Sequence, residues 1–254
     1  MIEYVNIHKS FGRPVLKGIT LSVGAGERLA IVGPSGGGKS VLLKTTNSLI
    51  VPDRGDVRIG GQSIYFGPPN VLERWKQSTG YVFQYAALFD SMNVFENVAL
   101  GIPEKEAKNL DAHEMLVRVS RALDAVRLVP RLVLSKLPSE LSGGMRKRVG
   151  VARAIIGRPT IMLFDEPVTG LDPVTSAAIA NLIARLCREL AATSIIVTHD
   201  VAGALDFCDR IALLDHGRIR FVGTPTAFRE SEDVLVRAFV DRQVAAQMNV
   251  EVNP

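Results

Sequence analysis

Gly33-Pro34-Ser35-Gly36-Gly37-Gly38-Lys39-Ser40 constrains this chain more than any other stretch of it. It follows the apolar run Leu29-Ala30-Ile31-Val32 and opens a helix-like stretch from Val41 to Leu49. Strand, glycine loop and helix form the context in which the pattern G-x-x-x-x-G-K-[ST] cradles phosphate. The glycines let backbone N–H groups wrap an oxyanion, and the helix N-terminus adds partial positive charge. Lys39 is placed to reach the β- and γ-phosphates of a nucleotide, and Ser40 to ligate Mg²⁺.

Three further apolar runs, Ile161-Met162-Leu163-Phe164, Ile195-Ile196-Val197 and Ile211-Ala212-Leu213-Leu214, share the character of the first. None alternates with polar residues, so they read as strands covered on both faces, the pattern of a parallel sheet. Each ends in a polar or glycine position: Gly33, Asp165-Glu166, Thr198-His199-Asp200 and Asp215-His216-Gly217. Ligands of open α/β sheets bind beyond the carboxyl ends of strands, which directs attention to these positions. The first 28 residues and residues 56–64 differ. There Ile19, Leu21 and Val23 alternate with Thr20 and Ser22, and Val57 and Ile59 run into Gly60-Gly61, as in antiparallel strands. Residues 93–157 are mostly helical, with Met115, Leu116, Val119, Leu123 and Val126 on one expected face. The expected fold is α/β: a P-loop NTPase core with a mainly parallel sheet, an antiparallel β subdomain and an inserted helical subdomain.

Asp165 closes an apolar strand, and a carboxylate there holds Mg²⁺ through its water shell. Glu166, one residue on, is the candidate to orient or deprotonate an attacking water. Composition adds exclusions. Of 254 residues, 30 are Lys or Arg and 26 Asp or Glu, a balance too weak to argue for nucleic acid. Arg146-Lys147-Arg148 reads as a solvated face at a helix start. Cys187 and Cys208 make no disulfide framework or metal cluster, and no apolar run approaches the length of a membrane span. With no basic and apolar leader at Met1-Ile2-Glu3-Tyr4, the expectation is a cytosolic chain.

Leu141-Ser142-Gly143-Gly144-Met145, taken with the phosphate loop and Asp165-Glu166, resembles the nucleotide-binding subunit of an ABC transporter. The resemblance covers about residues 1–228, and further motifs occur in order. Phe11 matches the aromatic that stacks on adenine, Gln84 the Q-loop, Gly170-Leu171-Asp172 the D-loop and His199 the switch histidine. It implies an ATPase with ATP and Mg²⁺ as ligands. Phe11, Gly33, Pro34, Ser35, Gly36, Gly37, Gly38, Lys39, Ser40, Val41, Gln84 and Asp165 would bind the nucleotide. Ser40, Gln84 and Asp165 would serve the metal, the last through water; Gln84 also suits sensing of the γ-phosphate. Glu166 and His199 would be catalytic. Ser142, Gly143, Gly144 and Met145 would bind the ATP of the opposite subunit in a homodimer, with Asp172 coupling the two.

Met145 replaces the commoner glutamine of this signature, leaving Ser142 and the glycine backbone in place. Its ending, and the segment Gln84-Tyr85-Ala86-Ala87-Leu88-Phe89-Asp90-Ser91-Met92-Asn93-Val94-Phe95-Glu96-Asn97-Val98, is similar to the ATPases of bacterial Mla/Mce-type phospholipid transporters. So is Val236-Arg237-Ala238-Phe239-Val240. That likeness implies integral permease subunits, an accessory subunit and an Mce-type lipid-binding protein as partners. It also implies a peripheral place on the inner face of the cytoplasmic membrane, with no nucleic acid. The apolar Ala86, Ala87, Leu88, Phe89 and Met92 suit either a groove for a permease helix or packing of the helical subdomain. Another cargo, or a cytosolic assembly-scaffold ATPase, stays open. Residues 229–254 read as a polar tail with a short helix around Val234–Val244, offered for dimer or partner contact.

Overall fold

The computed structural model describes residues 1–241. In chain order the elements begin with β1 (Ile2–Phe11), β2 (Arg13–Val23), β3 (Arg28–Val32), α1 (Lys39–Thr46), β4 (Arg54–Ile59) and β5 (Gln62–Ser63). Then come α2 (Pro69–Gln77), β6 (Thr79–Val82), α3 (Val94–Ala99), α4 (Glu104–Ala107), α5 (Ala112–Ala125) and α6 (Pro130–Val133). A 3-10 turn at Pro138–Glu140 leads to α7 (Gly143–Ile155), β7 (Ile161–Asp165), α8 (Pro173–Leu190) and β8 (Thr193–Val197). The last are α9 (Val201–Phe207), β9 (Arg210–Asp215), β10 (Arg218–Gly223) and α10 (Pro225–Arg229). Residues 234–241 are also helical; the rest of the tail expected to contact a partner lies outside the described residues.

The chain divides into two compact units, one of residues 1–68 with 195–254 and one of residues 69–194. In the first, an antiparallel sheet of order β2-β1-β4-β5 carries the alternating segments. Ile2 faces Val23, Tyr4 faces Leu21 and Ile7 faces Ile19, all buried, so apolar cross-strand pairs fix the register. The second sheet of this unit runs β10-β9-β3-β8. Its β3 and β9 pair in parallel, with Leu29 opposite Arg210 and Val32 opposite Leu213, and β10 pairs with β9 antiparallel. Leu29, Ala30, Ile31 and Val32 are fully buried, which explains their lack of alternation.

A bidentate ion pair fixes where β3 and β9 start. The Arg28 side chain donates to Asp209 from Nε at 3.0 Å and Nη2 at 2.6 Å, and its backbone N–H adds a bond at 2.9 Å. The guanidinium also lies 5.0 Å from the Phe207 ring centroid.

In the second unit β6 and β7 pair in parallel, Val82 opposite Phe164, and helices make up the rest. α7 is held by its apolar face: Val149, Ala152, Ile155 and Ile156 are all buried, as their spacing predicts. On α5, Val119 and Leu123 are buried, and so is Val126 just after it, but Leu116 is exposed. The buried stripe continues through Ala122 instead. Neither α2, whose Val71 and Trp75 make a buried i, i+4 face, nor β6 is among the elements expected from the sequence. β6 is only four residues long, with a glycine at its second position.

The Arg28 hydrogen bonds hold the Asp209 carboxyl below its ordinary range. A carboxylate depressed in the folded state stabilises above its unfolded value, about 3.9, and that contribution is lost as pH falls through the lower folded value. Asp209→Asn should therefore lower Tm at pH 7, and its gap from the unaltered chain should close as the buffer is taken below about pH 4. Thermal melts at stepped pH measure this.

Candidate functional site

The phosphate loop leaves β3 in the first unit. Gly33 sits at φ +146, and a Cβ there would stand 2.1 Å from the Leu214 carbonyl oxygen. Gly38, at φ +101, precedes α1 without a side-chain cap, and a Cβ would come within 2.9 Å of Leu16. Gly38 thus offers no capping side chain to the first turn of α1. Pro34, Ser35 and Gly36 are exposed, while Lys39 is buried with Nζ donating to the carbonyls of Gly33 at 2.9 Å and Pro34 at 3.0 Å. Ser40 and Val41 are half-buried at the start of the helix. This cradle fits the phosphates of a nucleotide: a glycine-rich main chain, a helix N-terminus and a cation within reach.

The end of β8 lies beside it, because Thr198 donates its N–H to the Ile31 carbonyl. Thr198 Oγ1 accepts from the Asp200 N–H, and Asp200 caps α9 through the Gly203 N–H at 3.0 Å. His199 is presented, exposed, between these two anchored residues. Phe11 stands at the β1–β2 corner, 55% exposed, with Lys9 Nζ 5.4 Å from its ring centroid. Asp53 anchors that corner, accepting from Lys9 Nζ at 2.8 Å and the Ser10 N–H at 2.7 Å. The Lys9 bond, ahead of the Ser10 bond, holds the Asp53 carboxyl below its usual range.

The second unit, taken by itself, carries Asp165 and Glu166. Asp165 ends the wholly buried β7 and accepts from the Tyr81 hydroxyl at 3.2 Å. Because Val82 and Phe164 are in register, Gln84 and Glu166 leave their strands at one edge. Gln84 Nε2 donates to Glu166 Oε2 at 3.4 Å, and Thr169 Oγ1 donates to the same oxygen at 3.0 Å. Glu166 adopts φ +46, a conformation that costs a non-glycine residue energy and persists only where its surroundings fix it. The described residues contain no cluster of three acidic, His or Cys groups suited to a metal. A buried carboxylate such as Asp165 suits an ion that keeps waters and phosphate oxygens, as Mg²⁺ does.

The signature segment caps α7. Ser142 Oγ accepts from the Met145 N–H at 3.3 Å, leaving Ser142 exposed and Gly143, Gly144 and Met145 half-buried. A Cβ on Gly144 would lie 2.8 Å from Thr175 Cγ2, so the start of α8 packs on the signature. Asp172 caps α8, with Oδ1 accepting from the Thr175 N–H at 2.9 Å, and its bonds to Thr175 hold its carboxyl below the usual range.

These are the features of one family. The model for the ABC transporter family matches residues 16–169. This chain belongs to the ABC transporter ATP-binding family. The chain is 39% identical over 233 residues to a spermidine/putrescine import ATP-binding protein of Legionella pneumophila (strain Paris), covering 91% of this chain and 61% of that protein's length. An Fe(3+) ions import ATP-binding protein of Pseudomonas fluorescens is 38% identical over 256 residues, 96% of this chain and 70% of its own. A methionine import ATP-binding protein of Thermobifida fusca is 37% identical over 249 residues, 94% and 74%. Among solved structures, a dimeric ATP-binding cassette in a post-hydrolysis state with ADP and Pi superposes with TM-score 0.79 at 30% identity, over 89% of this chain and 99% of that one. The fold is therefore that of the ABC cassette.

Sequence reasoning missed residues that hold main-chain groups of the turn after β6 and of the end of α5. Lys147 is buried, not solvated, and donates to the Gln84 carbonyl. Arg148 donates to the Val126 carbonyl at 2.8 Å, so only Arg146 of the basic triplet is exposed. A charge run predicts a wet face only when no main-chain carbonyls lie opposite it, and here they do. Asn97, fully buried, accepts from the Phe89 N–H at 2.8 Å and donates to the carbonyls of Phe89, Met92 and Asn93. Asn97→Ala should destabilise the chain by about 2 kcal/mol or more through the orphaned buried backbone groups. Calorimetric or chemical unfolding would show it, and a change within about 0.5 kcal/mol would contradict that role.

Proposed function

We infer that this chain hydrolyses ATP as a subunit of an ABC transporter, and that two copies close on ATP to drive phospholipid movement through a Mla/Mce-type permease. The observation that carries the ATPase part is the phosphate cradle, with Lys39 buried at its centre and a glycine, which brings no capping side chain, before α1. Backbone N–H groups of Gly36 to Ser40 and the Lys39 ammonium hold the phosphates, and the Phe11 ring offers a flat apolar face to adenine. Ser40, Gln84 and Asp165 would hold Mg²⁺, which supplies charge neutralisation at the transferred phosphate. Glu166 accepts a proton from, or orients, the attacking water, and His199 donates to the γ-phosphate side. Ser142 and the adjoining helix N-terminus of one copy bind the nucleotide held by the other, with Asp172 beside them. The dimeric state of the superposed cassette supports this arrangement.

No described helix is long and apolar enough to cross a membrane. Permease attachment therefore falls to the surface, and Tyr85 and Phe89, 82% and 54% exposed, suit a groove for a permease helix. An accessory subunit and an Mce-type lipid-binding protein complete the assembly, placed on the inner face of the cytoplasmic membrane. The lipid cargo rests on the Leu141–Met145 ending and the Gln84–Val98 segment. A second reading has an observation of its own: three relatives of this chain carry the names of polyamine, iron and methionine importers, so a small-solute cargo competes with lipid.

Glu166→Gln should lower ATP turnover by at least about 100-fold and leave a stable ATP-bound dimer in gel filtration. Near-normal turnover would remove Glu166 from the chemistry. Gentle solubilisation of native membranes and capture through a tag on this chain, with mass spectrometry of the co-purifying proteins and lipids, tests the cargo. Permease, Mce-type subunit and phospholipid are expected together; a permease with no lipid favours the small-solute reading. Recovery with soluble partners alone would favour a scaffold ATPase.

A further inference from the structure

α7 starts at the Ser142 signature, and one stripe of it, Lys147, Gly150 and Arg153, faces the turn after β6. The spacing of three puts these residues on one helix face. Lys147 Nζ donates to the Gln84 carbonyl. A Cβ on Gly150 would stand 3.2 Å from both the Cβ and the carbonyl oxygen of Ala86, so helix and turn are in close contact there. Arg153 donates from Nη2 to the Ala86 carbonyl and from Nη1 to the Ala87 carbonyl, each at 2.7 Å. Three carbonyls of the turn are thus held by two cations of one helix.

The turn needs such a hold. Ala86 and Ala87 adopt φ +61 and +47, a conformation unfavourable for residues that carry a Cβ. Beyond the turn, the Gln84 side chain reaches Glu166, itself at positive φ. Arg153 and Gly150 already fix Ala86 and Ala87, so Lys147 is not required merely to hold those two residues. Burying an ammonium is costly, and burial pulls Lys147 below the ordinary lysine value while the Glu166 charge opposes that shift. The Glu166 charge offsets part of that cost for a cation at this position.

We propose that Lys147 is a positioning residue for ATP hydrolysis, holding Gln84 by its main-chain carbonyl and so setting the Gln84–Glu166 contact from the signature helix. This rests on the reading of Glu166 as the group that handles the attacking water. Lys147 does not touch the nucleotide; it acts through Gln84. Its effect therefore falls on kcat and depends on the Gln84 side chain being present.

The experiment is a double-mutant cycle on the purified full chain, reading steady-state ATP turnover of the unaltered chain, Lys147→Met, Gln84→Ala and the double variant. Lys147→Met should lower kcat about 10-fold with KM for ATP unchanged within about 2-fold. In the Gln84→Ala background the same change should cost less than about 2-fold, the non-additivity of residues acting as one unit. Lys147→Gln, which keeps a donor for the Gln84 carbonyl, should lose less kcat than Lys147→Met, and an equal loss in the two would overturn the hold on that carbonyl. An equal loss in both backgrounds, or a Lys147→Met chain with unaltered kcat, would overturn the proposal. No hydrolysis by the unaltered chain would remove the reading of Glu166, and the proposal with it; hydrolysis with additive losses removes the proposal alone.

Discussion

The α-carbon of Gly33 rests against the main-chain carbonyl of Leu214, where any Cβ would stand 2.1 Å from the oxygen. That approach ties the carboxyl end of β3 to the end of β9, while Arg28 and Asp209 tie their starts. Between the two ties the strands cannot slip, because Leu29 to Val32 are buried on both faces. The loop therefore leaves the sheet in one direction, and Gly38 delivers it to α1 without a capping side chain. A site arranged before its ligand arrives loses little in ordering itself on binding. Lys39 shows the effect: its ammonium is already held over the loop by two carbonyls.

The second unit stores its tension differently. Glu166, Ala86 and Ala87 all adopt positive φ without being glycine, and each is fixed by side-chain hydrogen bonds to it or to its carbonyl. Strained backbone held by a polar network is a mark of functional segments. Here the network joins the signature helix, the turn after β6 and the carboxylate at the end of β7. The Ser142 end of that helix is also packed against the start of α8 through Gly144 and Thr175.

Much of this was legible in the sequence, and the parts that were not have physical reasons. The four buried runs became β3, β7, β8 and β9, because a strand covered on both faces has no polar face to break the run. The alternating segments became the antiparallel sheet, and the glycine loop lies between β3 and α1. β6 escaped because Thr79-Gly80-Tyr81-Val82 is too short to show a period. Leu116 was expected inside and is exposed, because the buried stripe of α5 passes through Ala122, whose small side chain gives no hydropathy signal. Lys147 and Arg148 looked like a wet face, since nothing local announces that carbonyls from residues 84 and 126 lie opposite them. Asn97 was part of a motif on likeness alone, and its four hydrogen bonds to the turn are visible only in three dimensions.

Nucleotide capture at the phosphate cradle precedes every other step assigned to this chain. Isothermal titration of the purified chain with ATP in the presence of magnesium, repeated with Lys39→Met, reads it most directly. A single saturable site per chain is expected, weakened by at least about 10-fold in Lys39→Met. No ATP binding by the unaltered chain, or binding that Lys39→Met leaves unchanged, would show that the loop does not hold the nucleotide.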